Sequence, residues 1–394
     1  MLSKIKKNAN DIFSETGYPS MNNEDWKYTS THFFSNCTSY NTGLNKFSTN
    51  NYIMDGAINI VLVNGKISDT IDKKIKGLTL LSLDDNNSTK DFGKFLQISD
   101  YNKNGVIAHN TSEFQDAVHL TIDSNYNSDI PINIISVATK LKAQDIIFPR
   151  FYIHAKKKSN SKIFIQHINN NTKGAGNAVS EFYCEELSST NIIHVSNMKN
   201  QKFIDSIIFN QDNNSKIKFL STSFGGELYR SNIDININGE NCDNKFGVLI
   251  LGSDQDHIDY HTNINHKASH SISDFSCRSM LNGKANGIFN GKILVAKGAS
   301  GTNATLNNNN LLLSNTSAMQ SNPQLEINCE DVKCSHGSTS GNLDKDALFY
   351  LCSRGIDEDA AKEILIQGFI SKLLSLFNTE KLSLESKVKE WIQV

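Results

Sequence analysis

The sequence predicts a mainly β protein: an all-β core flanked by N-terminal and C-terminal helical regions. Three observations carry this. Between residues 129 and 321, short apolar or alternating pieces recur at roughly ten-residue spacing, the all-β pattern: INIISVA, RFYIHA, KIFIQHI, FYCEEL, IIHVS, KIKFLS, NIDININ, FGVLIL, GIFNGKILVA. Polar turns such as Lys158–Ser159–Asn160 separate them. Helical periodicity appears at both ends of the chain, and nothing in the core region is long enough to be a repeated helix. A sandwich, a barrel and a parallel β-helix all fit this pattern. The lack of a repeated helix, with no sequence-identical repeat, leans toward the β-helix.

In order along the chain, residues 1 to about 15 predict a helix. Leu2, Ile5, Ala9, Ile12 and Phe13 fall on one face, and Gly17 and Pro19 end it. The segment EDWKYT (24–29) follows. Trp26 and Tyr28 in it are expected to pack, since aromatic side chains bury large areas. Residues 52–83 hold short strands (INIVLVNG, LTLLSL), and residues 112–123 predict a helix running into a strand. After the β region, Leu325, Ile327 and Cys329 alternate with Glu326, Asn328 and Glu330 as in a half-buried strand. The parity then changes, placing Val332, Cys334 and His336 together on one face. Asp344 is a good N-cap for a helix running to about Arg354, and Gly355 occupies its C′ position. Asp357 caps a second helix, with a stripe of Ala361, Ile364, Leu365, Phe369, Leu373, Leu376 and Phe377. Ser383 caps a third. These helices are expected to close the open end of the β core, to dock a partner, or both. The expected units are residues 1–120, 121–341 and 342–394.

Composition excludes several function classes. With 39 basic and 41 acidic residues, no strong electrostatic case exists for nucleic acid. No apolar run approaches the ~20 residues of a membrane span. Seven scattered cysteines without a CxxC pair favour reduced thiols in a cytoplasmic protein. GxxxxGK[ST], GxSxG and HExxH are all absent. A carbohydrate-acting β-helix enzyme would need charged residues clustered along a groove, and none are visible. Asparagine is abundant, through base composition of the genome or because it fills turns that need a left-handed backbone.

Two constellations remain. Cys334 and His336 present a thiolate and an imidazole together, a pair suited to zinc, copper or iron–sulfur chemistry. His257, Asp259 and His261 share strand parity, with His266 close by, so these four are a candidate zinc site. The alternative is that they are polar residues on the outside of the core. Cys329 and Cys352 have core parity, while Cys37, Cys184, Cys242 and Cys277 are isolated.

PQLEI, DVKCSHG and LFYLCSRGI, read without a gap from 323 to 356, resemble the SufB/SufD family of SUF iron–sulfur cluster assembly proteins. EDWKYT, the D-x-H-T of Asp259, His261 and Thr262, and FNGKILV (289–295) extend the likeness over nearly the whole chain. The Cys-Ser-His-Gly loop and EDWKYT resemble the SufD branch; SufB typically has Glu-His-Glu at that loop. The resemblance implies a right-handed parallel β-helix and a non-catalytic scaffold that pairs with SufB, or forms a homodimer when alone. It implies docking of the SufC ATPase on the C-terminal helices, and cluster assembly at the SufB interface by Cys334 and His336. Reduced flavin is associated with such complexes as a whole, but no dinucleotide fingerprint is visible here. One thiol and one imidazole fall short of the four ligands a cluster usually needs. The monomer is therefore expected to hold no stable cofactor, the cluster forming transiently at the interface.

Overall fold

The computed structural model describes residues 2–40, 52–69, 75–81, 83, 104–170, 172–377 and 384–392. The first strands are β1 (Thr38–Ser39), β2 (Ile58–Val63), β3 (Lys66–Asp69), β4 (Leu78–Leu81) and β5 (Val118–Ile122). They are followed by β6 (Ile132–Thr139), β7 (Asp145–Ile147), β8 (Arg150–Ala155), β9 (Asn160–Asn170) and β10 (Ala175–Cys184). Two long strands come next, β11 (Ser189–Gln211) and β12 (Lys216–Ile237). The last are β13 (Asp243–Gly252), β14 (His257–His266), β15 (Ile272–Leu281), β16 (Asn286–Val295), β17 (Asn303–Leu312), β18 (Ala318–Ile327) and β19 (Lys333–Gly341). The helices are α1 (Leu2–Thr16), α2 (His32–Ser35), α3 (Gly105–Glu113), α4 (Lys345–Ser353), α5 (Glu358–Leu374) and α6 (Leu384–Ile392).

Of the three architectures open to the pattern, the chain adopts the parallel β-helix, with about eight turns and with helices toward the two termini of the chain. One sheet stacks β2, β6, β9, β11, β12, β13, β15, β17 and β19 in parallel. The other stacks β5, β8, β10, β11, β12, β14, β16 and β18. β11 and β12 are long enough to bend and serve both sheets. At the start of the stack, β3 and β4 pair antiparallel with β2 and β5. Among the described residues, β18 and β19 are paired on one side only.

Stacking puts like residues in register, so the core is built of columns. One runs Ile132, Ile163, Ile192, Phe219, Phe246, Phe275 and Leu306. Facing it, another runs Ile153, Phe182, Phe209, Ile235, Ile264, Ile293 and Leu325. All but Leu325 are buried. This continuous apolar cluster is the main favourable term for the fold.

The turns explain part of the asparagine. Asn125, Asn200, Asn214 and Asn241 have φ between 55° and 61°, where the asparagine side chain is tolerated. Leu187 occupies the same conformation, φ 61°, at an equivalent turn, with its N–H donated to the Asn213 carbonyl. It is 43% exposed and buries little in return. Leu187→Asn is expected to stabilise the protein by about 1 kcal/mol by relieving this strain. Urea unfolding checks this; an unchanged or lower midpoint refutes the strain argument.

The helices cover the outer faces of the sheets. α1 and α3 pack through Ala9, Ile12, Ile107 and Ala108 onto Val179 and Ile208. α3 begins earlier than expected because the Asn104 side chain accepts from the N–H groups of Val106 and Ile107. The caps predicted for α4 and α5 are present: Asp344 and Asp357 each accept two backbone N–H groups, and Gly355 is left-handed. Ser383 lies outside the described residues.

Two expectations about the C-terminal helices are corrected. They do not close the end of the β-helix; they lie along its flank. Ile366, Ile370, Leu373, Leu374, Phe377, Leu384 and Val388 pack on outward residues from Phe164 to Leu311. Gly247 makes room for them, since a Cβ there would come within 2.7 Å of the Phe377 ring. The buried face of α5 also differs from the expected stripe. Ile364 and Leu376 are exposed, while Ile366, Ile370 and Leu374 are buried. α5 is apolar on more than one side, so spacing alone does not choose the face that packs. Among the described residues, no helix is long and apolar enough to cross a membrane.

Candidate functional site

Cys334 and His336 lie on the last strand of the first sheet. Their positions stack on Ala304 and Leu306, both fully buried inward residues. His336 thus continues the column that ends in Phe275 and Leu306, an apolar position by every rule of the stack. Among the described residues no coil follows to cover it, and it is exposed. An imidazole at an inward position of an open coil is hard to explain by packing. Cys334 is half-buried and packs with Met319, Leu325, Cys329 and Val332 against the end of the core. Every other residue of β19 is exposed.

Burial raises the Cys334 thiol above its usual range, with the Ala304 backbone contact partly opposing. At neutral pH it therefore stays protonated until a metal or cation arrives, because the thiolate is the ligand form. The open end also presents the free backbone edges of β18 and β19 beside Ile327, which is 43% exposed. Unpaired strand edges with apolar residues are a template for pairing with another chain. Cys329, expected in the core, is only half-buried for the same reason: among the described residues no further coil covers it.

The four residues of the candidate zinc site are divided by the strand. His257, Asp259 and His261 face outward toward the N-terminal segment. His266 is fully buried and hydrogen-bonds Ser273 at 2.8 Å. Asp259 is buried and already paired: one oxygen meets the Arg230 guanidinium and the Thr29 hydroxyl, and the other lies 3.2 Å from His261 Nε2. Burial alone would raise Asp259; the Arg230 charge outweighs it and, with His261 and Thr29, holds the carboxyl well below the usual carboxylate range. His257 bonds the Thr29 hydroxyl at 2.9 Å. Arg230, fully buried, also donates to the Asp25 carbonyl at 2.9 Å, and its guanidinium lies 4.2 Å from the Trp26 ring centre.

This cluster fastens EDWKYT to the β-helix. Trp26 is buried as expected, whereas Tyr28 is exposed beside Lys27. Arg230 is the hub of the cluster and was not singled out in the sequence. Its one local signal is a cation among the outward residues of NIDININ and its approach, a pattern shared with ordinary surface strands. Arg278 was missed likewise: it stacks on Phe369 at 4.7 Å, tying α5 to β15. Cys184, Cys242 and Cys277 are buried, and burial pushes the thiols of Cys184 and Cys277 up to about 12.

α4 has no fully buried residue, and its Phe349 and Tyr350 are 75% and 56% exposed. Ile364 of α5 is exposed as well, at 47%.

Known proteins are similar in sequence to this chain. A family model described as the SUF system FeS cluster assembly SufBD core domain matches residues 137–369. An iron–sulfur cluster assembly protein SufD of Escherichia coli (strain K12) is 35% identical over 158 residues, covering 40% of this chain and 37% of that protein. A SufBD family protein of Synechocystis is 30% identical over 201 residues, covering 50% of this chain and 44% of its relative. One from Mycobacterium leprae is 26% identical over 283 residues, 68% of this chain and 70% of the other. The matched stretches thus span less than half of the first two relatives. The family match covers more than half of this chain, from the end of β6 into α5, and takes in most of the columns and the open coil. The chain belongs to the SufBD family of the SUF iron–sulfur cluster assembly system.

Proposed function

We propose that this chain is a SufD-type scaffold subunit without a catalytic step of its own. In this reading its open coil pairs with SufB, and Cys334 and His336 supply half of an interfacial site on which the cluster is built and from which it leaves. The observation that carries the reading is His336, an exposed imidazole at the end of an otherwise apolar inward column. A thiol and an imidazole make an incomplete ligand set, and a partner seated on the strand edges completes it. A half-site also suits transfer, since a cluster held by four strong ligands leaves slowly.

The exposed Phe349, Tyr350 and Ile364 of the C-terminal helices supply the docking surface for the SufC ATPase. Its residues add nothing to the packing of α5 on the flank, which uses Ile366, Ile370 and Leu373. Exposed aromatics of this kind are typical anchors of an interface. On coexpression, the chain is expected to copurify with SufB and SufC. Phe349→Asp should weaken the SufC contact by at least about 2 kcal/mol while SufB is retained. Gel filtration and pull-down check this. SufC retained at wild-type strength removes the docking assignment, and failure to capture SufB removes the scaffold reading.

A further inference from the structure

Inside the β-helix, three polar side chains meet where the columns are otherwise apolar. His167 of β9 and His194 of β11 point inward from one sheet, and Asp205, further along β11, faces them from the other. All three are buried, His167 and Asp205 with side chains 0% exposed. His194 Nε2 lies 2.9 Å and His167 Nε2 3.9 Å from Asp205 Oδ2. One ligand atom from each lies within 4.8 Å of the other two, and among the described residues no other such trio of His, Cys, Asp or Glu occurs.

The trio is under-satisfied as it stands. Neither ring nitrogen of His167 has a hydrogen-bond partner, and Asp205 Oδ1 has none. His194 Nε2 reaches Asp205 Oδ2 at 2.9 Å, the one close contact within the trio. Buried polar atoms are paired in the great majority of cases, so three orphans in one place need an explanation. Among the described residues, no Lys or Arg forms an ion pair with Asp205, unlike Glu181 with Arg150 or Asp259 with Arg230.

We infer that His167, His194 and Asp205 bind a divalent first-row transition ion, Zn²⁺ or Fe²⁺, in the interior of the β-helix. Two imidazoles and a carboxylate are a common donor set for both metals. The two measured separations bracket the roughly 3.3 Å between neighbouring ligands of a tetrahedral ion with bonds near 2.0 Å. The outer partners fit as well. His194 Nδ1 is 3.2 Å from the Ser221 hydroxyl, leaving Nε2 toward the site, and Tyr229 donates to Asp205 Oδ2 at 3.3 Å. Such contacts orient metal ligands. Phe203 and Phe151, with ring centres 5.1 and 5.7 Å from His167, keep the surroundings dry. The ion links two successive coils and both sheets. It enters as the chain folds, because the finished site has no exposed ligand.

The full-length protein is unfolded in guanidinium with a chelator, then refolded with Zn²⁺, Fe²⁺ (anaerobically), Co²⁺ or no metal. Binding of about one equivalent is expected. The melting midpoint should rise by several degrees over the metal-free sample, and Co²⁺ should give the visible absorption of a low-symmetry N/O site. Asp205→Asn should weaken binding by more than about tenfold, while His261→Ala leaves it intact. Iron without acid-labile sulfide assigns the metal to this trio; iron that arrives only with sulfide overturns the Fe²⁺ arm. Refolded wild-type protein with no stoichiometric metal from any arm overturns the inference even if the variant fails to fold. So does unchanged binding by folded Asp205→Asn, or loss of binding in His261→Ala.

Discussion

In a complex coexpressed with SufB and SufC, His336→Ala is expected to assemble normally yet carry at least about tenfold less iron and acid-labile sulfide. The argument is one of position. His336 is exposed and ends a column whose apolar members lie beneath it, so its loss removes no core contact. A methyl group there suits the inward position better than an imidazole does. Stability should therefore hold or rise while cluster formation falls, and the two readouts separate a ligand from a packing residue. Cys334→Ser should act in the same direction, with a similar or milder effect. The hydroxyl keeps the shape on Ala304 but loses the soft thiolate. His261→Ala is the control, since its imidazole faces Asp259 and Asn290 and not the open coil. Gel filtration confirms assembly. Normal cluster content in the His336 variant, with loss in the His261 variant, would place the site on the wrong histidine.

Asp259→Ala is expected to destabilise the protein by about 3–5 kcal/mol, because it strands the Arg230 guanidinium in the interior. Arg230 and Asp259 are both shielded from water, so the modest value of a surface pair does not apply. The damage should spread to residues 24–29, which hang on the same cluster through Thr29, Asp25 and Trp26. Limited proteolysis of the N-terminal segment and urea unfolding measure both effects. The pH dependence has a definite sign. Asp259 has a depressed folded value, so its contribution is complete above the unfolded carboxylate range and fades as pH falls below about 3.9. That acid-side loss should shrink in the variant. A cost under about 1 kcal/mol would mean the pair behaves like an exposed one.

Much of this was legible in local sequence, because local physics decides it. Caps at Asp344 and Asp357, the left-handed Gly355 and the shared face of Cys334 and His336 depend on residues a few positions apart. The all-β class followed from short periods of two, and the family resemblance rested on the contiguous stretch from 323 to 356. The interior trio also left a trace: His167, His194 and Asp205 each sit at the apolar parity of KIFIQHI, IIHVS and FIDSIIF. Each alone passes for a tolerated polar residue, and only stacking of distant coils makes them one cluster.

Tertiary structure decided the rest. Periodicity told a helix from a strand but not which coil comes last, and it is the missing next coil that exposes His336 and half-exposes Cys329. α5 has apolar residues on several sides, so only contact with Leu220, Leu249 and Met280 selected Ile366 and Ile370 over Ile364. The same contact placed the C-terminal helices on the flank and left the end open. Residues 25–29 met Arg230 and Asp259 across some two hundred positions of chain because a folded segment, not a sequence period, brought Trp26 over the guanidinium.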